Sequence, residues 1–69
     1  MNVYEIVEWL SYYGDVREWS EEDGVIKVSY IPRISTRELF RNIRNQLVDY
    51  TPFLRKGTYP SEVVLYLVP

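Results

Sequence analysis

The stretch Ser61–Val68, SEVVLYLV, constrains this chain more than any other, because from Val63 onward every residue is apolar. Read as a strand, it puts Val63, Leu65 and Leu67 on one face and Val64, Tyr66 and Val68 on the other. A strand apolar on both faces is covered on both sides or meets a partner. The chain has 69 residues, room for one domain (residues 1–69) and one core. A domain of that size buries only about 60% of the surface its unfolded chain exposes.

The upstream sequence supplies two amphipathic helices and a hairpin. Asn2 and Glu5 form a capping-box-like pair, followed by Val3, Ile6, Val7 and Leu10 along one face. This predicts a helix over residues 3–13, stopped by Gly14 in a left-handed conformation. Val25–Ile31 alternates as a strand, with Ile26, Val28 and Tyr30 on one side and Val25, Lys27, Ser29 and Ile31 on the other. Asp23-Gly24 is a hairpin turn signal, which makes the weaker stretch Val16–Ser20 the partner strand. A two-residue loop there sets Trp19 opposite Val28 and Arg17 opposite Tyr30. A four-residue loop sets Trp19 opposite Ile26. Both put Trp19 on the Ile26, Val28 and Tyr30 face, since the registers differ by two residues.

Ser35 or Thr36 then caps a second helix, with Glu38 in its first turn, running to Val48 or Tyr50 ahead of Pro52. Its apolar face is Leu39, Phe40, Ile43 and Leu47. Thr51–Pro60, with two Pro and one Gly, reads as a connection from which Phe53 and Leu54 tuck inward. The expected fold is α+β in the order α-β-β-α-β: a three-stranded sheet, the antiparallel hairpin plus the C-terminal strand, with two helices on one face. This arrangement resembles a ferredoxin-like β-α-β-β-α-β chain without its first strand, and the resemblance implies a central strand supplied in trans.

Composition narrows the chemistry. With no His and no Cys there is no imidazole base, no thiolate nucleophile and no imidazole or thiolate metal site. Glu5 and Glu8 lie on the exposed side of the first helix, where water keeps both ionised, and Glu21-Glu22-Asp23-Gly24 lacks the ligand spacing of a calcium loop. We therefore expect no enzymatic activity, cofactor, metal or small-molecule substrate. No apolar run approaches the roughly 18 residues of a membrane span, and the N-terminus has no signal-like pattern, so a cytoplasmic protein is expected. The Tyr, Arg and aliphatic content resembles that of small hyperthermophile proteins and leads us to expect thermostability.

Two surfaces stand out as working surfaces. The first is the sheet face left open by the helices, carrying Val25, Ile31, Val64, Tyr66 and Val68. It predicts a non-catalytic protein–protein interaction module, a homodimer or a subunit of a larger complex. The second arises from charge. Net charge is −2, yet residues 1–32 carry seven acidic and two basic groups, and residues 33–56 six basic and two acidic. Arg37, Arg41 and Arg44 form a stripe on the second helix, with Arg33, Arg55 and Lys56 nearby. Such a stripe suits the phosphates of a nucleic acid or an acidic partner surface. Helix arginines already paired with Glu18, Glu21 or Glu22 would instead be ordinary surface charge.

Overall fold

A computed structural model describes residues 1–69. Helix α1 spans Val3–Ser11 and α2 spans Thr36–Gln46, and the four strands are β1 Gly14–Glu22, β2 Val25–Pro32, β3 Thr51–Lys56 and β4 Val63–Val68. They form one sheet in the order β1-β2-β4-β3, with every neighbouring pair antiparallel. The domain is thus α+β with two helices, but its sheet has four strands where three were expected.

Local signals explain both helices. The Asn2 side chain accepts from the Glu5 backbone N–H at 2.9 Å, while the Glu5 carboxylate accepts from the Asn2 N–H at 3.0 Å, which completes the capping box. Ser35 caps α2 by accepting from the Glu38 N–H. Ile6 and Leu10 of α1 and Leu39 and Ile43 of α2, with Leu47 just beyond it, are buried against Ile26, Val28, Tyr30, Leu65 and Leu67. Both helices therefore cover the same face of the sheet. Fully burying a side chain of this size contributes roughly 1.5–3 kcal/mol, and Trp9, Trp19, Phe40 and Leu54 pack around the margin.

Both helices end earlier than their apolar periodicity predicts. α1 stops at Ser11, and Gly14 is a buried member of β1 with no positive φ. A Cβ at Gly14 would lie 2.5 Å from the Ile31 carbonyl oxygen and 2.8 Å from Pro32 Cα, so close approach to β2 is what demands glycine there. α2 stops at Gln46 because Thr51 must be extended ahead of Pro52, which leaves four residues for the turn.

The added strand is β3. Pro52 sits in it opposite Leu67, and β3 is an edge strand, where a missing N–H donor faces outward and costs no ladder bond. Consequently β4 lies in the middle of the sheet, hydrogen-bonded to β2 on one side and β3 on the other. The expectation of a central strand missing from the chain is overturned, because the chain's own β4 fills that place.

The β1–β2 hairpin closes through Asp23 and Gly24, both with positive φ (53° and 81°), the two-residue primed turn that Asp-Gly favours. Trp19 faces Val28 as the two-residue loop requires. Beyond it the register shifts: Glu18 pairs with Ser29 and Val16 with Tyr30, so a bulge at Arg17 replaces the expected Arg17–Tyr30 pairing. The extra residue reverses the pleat and turns Val16 into the core, while Arg17 and Glu18 both border the opposite face.

Candidate sheet-face interface

The helix-free face follows from the register. Three rows cross the sheet. The first runs Glu18, Ser29, Val64, Arg55, and the second runs Ser20, Lys27, Tyr66, Phe53. The third carries Glu22 and Val25 on one half and Val68 and Thr51 on the other. Residues i and i+2 of a strand share a face, so Ile31 also belongs here. Val25, Ile31, Tyr66 and Val68 are half-buried and Val64 is 9% exposed, so all five residues expected on the open face are placed there together.

Phe53 corrects the sequence reading. It does not tuck inward: as the cross-strand neighbour of Tyr66 it is 54% exposed, and only Leu54 turns to the core. Expecting a loop hid the alternation of Thr51–Lys56, which places Phe53 and Arg55 on the open face and Pro52 and Leu54 on the other. The Arg55 guanidinium carbon lies 5.6 Å from the Tyr66 ring centroid, so the ring's exposed face is already covered by a cation.

Beside this aromatic pair an open groove of about 490 Å³ is bordered by Arg17, Lys27 and Arg55, by Glu18 and Glu62, and by Tyr59. Glu62 is 7% exposed. Its carboxylate accepts from the Thr58 N–H at 3.2 Å and its backbone carbonyl from the Gly57 N–H at 2.9 Å, which ties together the β3–β4 connection. A Cβ at Gly57 would meet that same carboxylate at 2.8 Å. The groove wall is therefore tied by hydrogen bonds to Glu62 and is mixed in sign.

The basic residues grouped in the sequence reading are dispersed by the fold. Arg33 is engaged with the end of α1: it donates to the Ser11 carbonyl at 3.0 Å and pairs with Asp15 at 2.7 Å, which places a cation at a helix C-terminus. Arg37, Arg41 and Arg44 lie on the outer side of α2, since at 3.6 residues per turn they fall opposite buried Leu39 and Ile43. None pairs with a carboxylate, because Arg33–Asp15 is the only ion pair in the chain. Arg44 lies 5.6 Å from the Phe40 ring. Arg55 is on the other side of the sheet, and Lys56, by alternation, is on the helix side at the end of β3.

No group of three or more acidic side chains converges as a metal site would require. No helix is long and apolar enough to cross a membrane. No protein-family model, curated protein or solved structure matches the chain.

Proposed function

We propose that this protein is a non-catalytic interaction module whose working surface is the helix-free sheet face and whose ligand is another protein surface. One observation carries the reading: Phe53 and Tyr66 are cross-strand neighbours on that face, half-buried Val25 and Val68 lie in the adjoining row, and neither helix covers them. Aromatic residues at the centre of a patch are the usual anchors of protein contacts. The surroundings favour protein over nucleic acid on this face. Glu18, Glu22 and Glu62 share the face with its cations, and Arg55 occupies the Tyr66 ring face that a base would stack on. The element order is also what a ferredoxin-like chain becomes when its first strand is moved to its C-terminus, a relationship that selects no function.

The test compares Tyr66→Glu with Arg41→Ala/Arg44→Ala in association, self or with a partner captured from cells, by light scattering after size exclusion. The sheet-face variant loses the association and the helix variant keeps it. A monomeric wild type at high micromolar concentration from which no partner is recovered would defeat the proposal.

A second reading rests on the unpaired arginines of α2. Three guanidinium groups with no internal carboxylate partner suit a line of phosphates or an acidic surface. This reading requires nucleic-acid affinity that falls steeply with salt and weakens in Arg41→Ala/Arg44→Ala. No binding to DNA or RNA near 50 mM salt removes it.

A further inference from the structure

We infer that the partner this face fits is a second copy of the same chain, docked face to face about a two-fold axis running nearly parallel to the strands. The inference rests on the proposed role of the helix-free face and adds the partner and the geometry.

The order of residues across the sheet is asymmetric in charge. Along the row Glu18, Ser29, Val64, Arg55, an acid stands on one edge strand and a base on the other, at the same height. A two-fold axis in the interface, parallel to the strands and midway between β2 and β4, exchanges the two edges and preserves height. Glu18 of each copy then faces Arg55 of the other, twice per dimer. In the next row Lys27 of one copy comes opposite Tyr66 of the other, whose ring face is already covered by its own Arg55, so this row adds no charge match. In the third row Val25 meets Val68.

The other in-plane axis, perpendicular to the strands, brings β1 onto β1. It sets Glu18 and Glu22 of one copy against the same strand of the other, and Arg55 against the β3 that carries Arg55. Acid then meets acid at the β1 edge and no acid reaches Arg55 at the β3 edge, so the charge pattern selects the parallel axis. The pair cannot close within one chain: β1 and β3 are separated by three strand spacings, about 14 Å.

Sheet twist is compatible with this geometry. Aligned sheets pack at about 30°, so the axis lies about 15° from the strand direction. At the outer strands, about 7 Å from the axis, this shifts facing residues by roughly 3–4 Å, within reach of Glu and Arg side chains. The footprint is about 20 Å by 20 Å, from four strands and six residues of length. That is at the small end of specific interfaces, so association belongs in the micromolar range.

The experiment is a charge swap read by analytical ultracentrifugation, with Glu18→Arg, Arg55→Glu and the double variant E18R/R55E. Both residues are exposed, and thermal melts confirm that each variant folds. Each single reversal creates two like-charge contacts and weakens dimerisation on the order of tenfold or more, while the double variant returns to within about threefold of wild type. Raising salt weakens the wild-type dimer and strengthens the single variants. A dimer indifferent to both single reversals, or a double variant no better than the singles, overturns the inference. If that dimer is still lost in Tyr66→Glu, the face remains the interface and only the two-fold arrangement fails. A monomeric wild type that captures a different protein through the same face overturns self-association alone. A monomeric wild type with no partner overturns both.

Discussion

The Tyr30 hydroxyl gives the sharpest check on the core. Tyr30 is fully buried in β2, and its hydroxyl donates to the Leu10 carbonyl in the last turn of α1. Burial pushes the phenol up to about 12 from its ordinary 10, against the opposing pull of the nearby Arg33 charge. The folded protein therefore holds this proton to about pH 12, while the unfolded chain releases it near 10. Its contribution to stability is complete below pH 10 and is lost as pH rises through the folded value. Two pH units correspond to about 3 kcal/mol in all, with a slope of about 1.4 kcal/mol per unit inside the window.

Tyr30→Phe removes this dependence and one hydrogen bond. The Leu10 carbonyl still accepts from the Tyr13 N–H at 3.0 Å, so it is not orphaned, and the loss at pH 8 is about 1 kcal/mol. Wild type starts ahead by that amount and loses about 1.4 kcal/mol relative to the variant by pH 11. The two stabilities cross near pH 11, above which the Phe variant is the more stable. Urea unfolding followed by Trp fluorescence from pH 8 to 11.5 measures both curves. The other six tyrosines are common to both proteins and cancel in the difference. Parallel curves over this range would refute the assignment of Tyr30 as the buried, proton-retaining phenol.

Two further substitutions test the local structure. Gly14→Ala places a methyl group 2.5 Å from the Ile31 carbonyl oxygen and 2.7 Å from the Tyr30 ring, and loses about 2–3 kcal/mol in urea unfolding. Asn2→Ala removes the capping box of α1 and loses about 1 kcal/mol, with far-UV circular dichroism showing fraying of that helix at reduced thermal stability.

What was legible in the sequence is what local physics decides. Asn2 with Glu5, Ser35 with Glu38, and the spacing of Leu39, Ile43 and Leu47 gave both helices and their buried faces, and Asp23-Gly24 gave the hairpin and the face of Trp19, with its pairing to Val28 one of two registers left open. The bulge at Arg17 was not legible, because the packing of Val16 against the core that accompanies it is a tertiary contact, and no Gly or Pro announces it. Strand β3 was hidden for a different reason. Pro52, Arg55 and Lys56 are poor strand formers, and the pairing that holds them comes from β4, a dozen residues downstream. With β3 went the placement of Phe53 and Arg55 on the open face.

Restoring β3 changes what kind of partner the chain can need. A sheet ending at β4 would have offered a long apolar edge, and a partner would have added a strand to it. In the folded chain β4 is paired along both sides. The true edges are poor templates for strand addition: β3 carries Pro52, and β1 is bulged at Arg17 and bears Glu18, Glu21 and Glu22. Backbone hydrogen bonding is thus satisfied or blocked, and the unsatisfied surface is made of side chains on the open face. On the proposed reading a partner would meet that face broadside, with specificity set by the order of residues across it. Glu18 on one edge and Arg55 on the other would supply that order in the proposed dimer, and the features that blunt edge-on aggregation leave the open face as the surface for it to use.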